Sequence, residues 1–139
     1  MIEQQYDLLE IASKVNNIYR GCLLYLRYLN EGGLKDKLDD IIKYFRSSED
    51  VIDKLIESGE SKVDRYFIWM DRTTNDKTVD EMIKELRDIR KILRKIPKGE
   101  ANKEEAEKAR RVINKISSYF LIKSYNELLG EVRKYVIRV

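Results

Sequence analysis

Apolar residues recur at steps of three and four along almost the whole chain, and the only proline is Pro97. That period stacks apolar side chains on one face of an α-helix, whereas a half-buried strand would alternate them. With only six glycines as well, the chain lacks the turn residues that many short strands require. The expected fold is all-α: a single-domain helical bundle over residues 1–139, of four to five helices with a long C-terminal helix. A chain of 139 residues, 42% of them hydrophobic, has enough material for one core, since a domain this size buries roughly two-thirds of its unfolded surface.

The first segment sets Leu8, Ala12, Val15, Tyr19, Cys22, Leu26 and Leu29 in one row, with Ile11, Ile18 and Tyr25 beside it. The stripe is wider than a coiled-coil seam. From Cys22 to Leu29 nearly every residue is apolar, which predicts contact from several sides. Gly32-Gly33 ends this helix. Leu34, Leu38, Ile41 and Phe45 follow, and Ser47-Ser48 before Glu49-Asp50 suits a helix restart, with serine capping and acids at the positive end, so the segment is one broken helix or two abutting ones. That helix continues through Val51, Ile52, Leu55 and Ile56 until Gly59 interrupts it. A short helix holding Val63, Tyr66, Phe67 and Trp69 comes next, and then a loop at Thr73–Lys77.

Thr78 and Glu81 make a capping box for a helix bearing Met82, Leu86, Ile89, Leu93 and Ile96, which stops at Pro97-Lys98-Gly99. Asn102 and Glu105 open the last helix. Its apolar phase slips at Phe120-Leu121, and Gly130 marks a close contact or kink within it.

The charges nearly cancel, at 28 basic against 25 acidic, but they are not evenly spread. Residues 1–60 carry 8 basic and 12 acidic side chains; residues 61–139 carry 20 and 13. Ile89 to Gly99 holds Arg90, Lys91, Arg94, Lys95 and Lys98 with no acid. Lys84, Arg87, Lys91, Arg94 and Lys98 step by three and four, nearly opposite the apolar row on the same helix. Such a stripe suits a line of backbone phosphates. Arg110, Arg111 and Lys115 extend it if the turn at Pro97 and Gly99 folds the next helix back. In the last helix Glu104 precedes Lys108, and Glu107 precedes Arg111, by the four residues that favour an ion pair. The solvated outer face of a bundle helix is the competing explanation for the stripe.

The absence of histidine removes histidine triads, zinc sites with histidine ligands and Glu-x-x-His di-iron sites. One cysteine, Cys22, excludes an intrachain disulfide and any Cys-x-x-Cys motif, and its place in the apolar row predicts a buried thiol. Asp50, Asp53 and Glu57 share a face, and Glu85 with Asp88 makes a second pair. In spacing alone these residues resemble the Mg²⁺ sites of all-α nucleotide pyrophosphatases. The paired glutamates of that family are missing, and Lys54 and Lys84 lie close enough in sequence to neutralise the acids. Tyr19, Tyr25, Tyr125 and Tyr135 lie on apolar rows, which leaves Tyr28 as the candidate exposed aromatic for stacking on a base.

The expected function is that of a small non-catalytic subunit, with no cofactor and no metal. It assembles through apolar helix faces, with a protein partner or as a homo-oligomer, and contacts nucleic-acid phosphates through Lys84, Arg87, Lys91, Arg94, Lys98, Arg110, Arg111 and Lys115. The alternative is a purely structural protein–protein interaction module. A Mg²⁺-dependent all-α nucleotide hydrolase ranks third. The acidic start of the chain, with no apolar run behind it, predicts a cytoplasmic protein with no signal peptide and no membrane span. Abundant charge and isoleucine with little glutamine is also the bias of proteins from hot environments.

Overall fold

A computed structural model describes residues 2–46, 48–61 and 76–118. Among the described residues the regular structure is entirely helical, as the periodicity predicts. Helix α1 spans Ile2–Glu31, α2 Leu34–Ile42, α3 Ser48–Ser61 and α4 Asp76–Lys95, and a fifth helix, α5, occupies 103–118. Short 3₁₀ turns, Lys43–Phe45 and Ile96–Lys98, follow α2 and α4. The expected short helix with Trp69, the phase slip at Phe120-Leu121 and Gly130 lie outside the described residues.

The breaks between helices have local causes. Gly32 and Gly33, at φ 81° and 78°, turn the chain from α1 into α2 through the left-handed region. After the first 3₁₀ turn, Arg46 is extended at ψ 131°, so α2 and α3 are separate helices rather than one. Gly59 does not interrupt α3, contrary to expectation; the helix runs on to Ser61. A mid-helix glycine costs about 1 kcal/mol against alanine, which a packed helix absorbs. Asp76 and Lys77 are already helical, so they are not part of a loop and Thr78 lies within α4 rather than capping it, contrary to expectation.

The turn from α4 to α5 follows the expected signals. Gly99 is left-handed at φ 73° and its N–H donates to Ile96 O at 3.0 Å. At the start of α5 the Glu105 N–H donates to Asn102 Oδ1 at 2.8 Å, and the Asn102 N–H donates to Glu105 Oε1 at 3.1 Å. This is a reciprocal capping box, with two otherwise unpartnered donors satisfied by each other's side chains.

Packing places α1 against α2, the first 3₁₀ turn and α3, while α3 lies along α4. Ion pairs fix directions: Glu49 to Arg94 and Asp53 to Arg90 run α3 antiparallel to α4, and Lys95 to Glu105 and Glu85 to Lys115 do the same for α4 and α5. The core joins Ile11, Val15, Ile18, Cys22 and Tyr25 of α1 with Ile52 and Leu55 of α3, Leu86, Ile89 and Leu93 of α4, and Ala106, Ala109, Ile113 and Ile116 of α5. Each fully buried large apolar side chain contributes roughly 1.5–3 kcal/mol.

Two contacts hold α1 in place. Gly21 lies against the Phe45 ring so closely that an added Cβ would fall 2.3 Å from a ring carbon. The buried Tyr25 hydroxyl donates to the carbonyl of Ala101, in the turn before α5. Cys22 to Leu29 is packed on several sides as expected, with Cys22, Tyr25 and Leu26 buried and Leu24, Tyr28 and Leu29 against the core, while Leu23, at 41%, and Arg27 are exposed. Tyr28 is also partly buried against the core and is not an exposed aromatic.

Candidate nucleic-acid interface

Helix α4 is covered on both flanks, and this divides the cationic stripe. Besides the expected apolar row, Ile83 and Ile92 are buried, which widens the packed arc and narrows the face left to solvent. On the α3 side, Arg90 Nη1 lies 3.1 Å from Asp53 Oδ1, and Arg94 Nε lies 2.9 Å from Glu49 Oε1. The run from Ile89 to Gly99 is therefore not an uncompensated excess: acids on α3 meet its cations across the seam. The acidic early part of the chain and the basic later part are, here, two halves of one contact.

Toward α5 the arrangement differs. Lys84, Lys91 and Lys98 are exposed and form no ion pair among the described residues. Arg87 is exposed on the same outward arc. Lys95 Nζ bonds Glu105 at 2.9 Å, while Lys115 Nζ reaches Glu85 Oε1 only at 3.4 Å. Between the helices lies an open groove of about 360 Å³, lined by Glu85, Lys108, Arg111, Val112 and Lys115.

The eight candidate residues thus separate into two sets. Lys84, Arg87, Lys91, Lys98, Arg111 and Lys115 share the outer face of the α4–α5 hairpin, whereas Arg94 is turned to α3. Arg110 bonds Glu107 of its own helix at 2.6 Å and lies beside the Tyr19 hydroxyl of α1. The Glu107 carboxylate, its nearest charge, holds the Arg110 guanidinium even further above its ordinary value. Because Glu107 goes to Arg110 three residues on, the expected pair with Arg111 does not form, nor does Glu104 pair with Lys108 among the described residues. Lys108 therefore joins the cationic face although the sequence reading passed over it. The signal was present, since Lys108, Arg111 and Lys115 step by three and four; the assumption of Glu–Lys pairing obscured it.

Three of the five acids singled out as a metal test are held by cations. Asp50 lies 3.5 Å from Lys54, Asp53 pairs with Arg90, and Glu85 pairs with Lys115 rather than with Lys84. Among the described residues no three metal-ligating side chains converge. Cys22 is buried, and burial pushes its thiol up to about 12, with Arg110 pulling weakly the other way. At neutral pH it carries almost no thiolate, the form a nucleophile needs. Among the described residues no helix is long and apolar enough to cross a membrane. No protein-family model matches the chain, and no curated protein or solved structure matches it either.

Proposed function

We propose that this protein is a non-catalytic helical subunit whose α4–α5 outer face contacts the phosphates of nucleic acid, without reading bases. One observation carries the reading. Cations on the α3 side of α4 have acidic partners, whereas Lys84, Lys91, Lys98, Lys108 and Arg111 have none among the described residues. A surface of this kind binds by neutralising phosphates and releasing their counterions, so its affinity falls steeply with salt. Docking to a protein partner, or to a second copy, fits beside this role. Leu23 and Ile42, 41% and 39% exposed, are the apolar residues that favour it, and they also support the second reading, an interaction module with no nucleic-acid role.

Titration of single- and double-stranded DNA and RNA at several salt concentrations tests the proposal. The expected log–log slope is a few units, and Lys84→Glu with Lys91→Glu should lower it by about two while leaving the helical spectrum intact. Absence of binding at low salt overturns the nucleic-acid role and leaves the interaction module.

A further inference from the structure

The groove between α4 and α5 has a charge pattern of its own, distinct from a general basic face. Lys108, Arg111 and Lys115 occupy one row of α5, spread over about 10 Å of helix axis. Across from them Glu85 is the single acid in the lining, so three cations and one carboxylate leave the groove with two positive charges. Val112, buried at 9% exposure, gives it an apolar wall. The groove's volume of about 360 Å³ sits at the small end of the roughly 300–1,000 Å³ range of small-molecule sites.

The lining is also incompletely satisfied. Glu107 is committed to Arg110, which leaves Arg111 its full guanidinium fork, a donor set that matches two oxygens of one phosphate. Lys115 reaches Glu85 at 3.4 Å, well beyond the roughly 2.7–2.9 Å of a strong charge-assisted bond. That pair is exposed and long, so it contributes little, and a more highly charged anion can draw Lys115 away from it. Glu85 at the same time repels any anion that enters. A phosphodiester brings one charge and two unbridged oxygens. A phosphate monoester brings nearly two charges and three strong acceptor oxygens. Two net positive charges and three donor groups match the second.

Resting on the reading of the α4–α5 face given above, we infer that this groove is a binding site for a phosphate monoester, chemically the terminal phosphate of a nucleic-acid strand or that of a mononucleotide. The groove is open, so charge holds the ligand and the base attached to it is not selected. A mononucleotide binds weakly through the groove alone. A strand ending in a phosphate adds the outward lysines of α4 and binds more tightly.

The experiment compares short oligothymidylates carrying a 5′-phosphate or a 5′-hydroxyl by fluorescence anisotropy at low salt, on the full chain. Thymidine 5′-monophosphate and thymidine are followed in parallel by amide NMR shifts. The 5′-phosphate should improve strand affinity roughly fivefold or more, and the monophosphate should shift amides around Lys108, Arg111 and Lys115 where thymidine does not. Lys108→Gln with Arg111→Gln should abolish both effects, while 5′-hydroxyl strands, which lose two cations of the face, bind more weakly through the remaining lysines of α4. Glu85→Gln should increase the preference. Surface changes of this kind leave stability nearly unaltered, and a retained helical spectrum confirms folding. Equal affinity for the two strand ends, or a preference that survives the double variant, overturns the groove assignment while leaving the face reading intact. If no strand binds, the face reading fails, and the monophosphate shifts alone decide the groove: shifts at the three cations uphold it, and silence there overturns it.

Discussion

The side of the molecule where α1 packs and the outer side of the α4–α5 hairpin are built on opposite terms. Around α1 the contacts are close, apolar and specific. Gly21 admits the Phe45 ring, the Tyr25 hydroxyl finds a backbone carbonyl across the core, and Cys22 is sealed from water. On the outer hairpin side chains are long and exposed, and Lys115 reaches Glu85 only at 3.4 Å. A close-packed interior punishes any change of volume, whereas an exposed charge can be exchanged at little cost. The first region fixes the shape and leaves almost no freedom; the second has freedom that stability does not require. The α3–α4 seam lies between these extremes, charged like the hairpin face yet closed by partners.

The strongest way to break this contrast is at Gly21. Gly21→Val places branched carbons where the Phe45 ring sits, and overpacking of this kind costs about 1–3 kcal/mol. Alanine there is a weaker probe, because its better helix propensity returns about 1 kcal/mol. Urea unfolding of the valine variant should show a clear loss; an unchanged midpoint would mean that the ring is not seated against α1. Next comes Tyr25→Phe, which removes one hydroxyl and leaves the Ala101 carbonyl unpaired within the core. The expected loss is about 1–2 kcal/mol, with nucleic-acid binding unaltered, and a loss of binding without a loss of stability would blur the two regions. The smallest effect belongs to the seam. Glu49→Lys and Arg94→Glu should each destabilise by up to about 1 kcal/mol, and the swapped pair should recover most of it. If the double variant is no better than the sum of the singles, the cations of α4 are not held by α3, and the seam belongs with the open face.

Much of this fold was legible in the sequence because the signals that set it are local. The three-and-four spacing, Gly32-Gly33, the stop at Pro97 to Gly99 and the Asn102–Glu105 cap each act within a turn or two of chain. The candidate site was legible only in part. Which cations share a row follows from helix geometry, and Lys84, Arg87 and Lys91 do share the outer arc. Which of them meet acids depends on helices distant in sequence: Glu49 and Asp53 lie 45 and 37 residues before their partners. The four-residue pairing rule also misled, since Glu107 chose Arg110, whose place beside Tyr19 is set by α1. Gly59 and Thr78 show the same limit at smaller scale: the helix runs through both, so neither a local breaker nor a local capping residue decides where a helix stops or starts.

The capping box at the head of α5 has a consequence for acid conditions. Glu105 accepts from the Asn102 N–H and from Lys95 at the end of α4, so one carboxylate joins the start of one helix to the end of the helix before it. The Lys95 hydrogen bond first, and then the backbone N–H of Asn102, hold its carboxyl below the usual carboxylate range. The stability it contributes is therefore present above that range and lost only as pH falls through the lowered value. A single proton taken up there weakens the helix cap and the hairpin together, so the corner that orients the cationic face behaves as one acid-labile fastener rather than two.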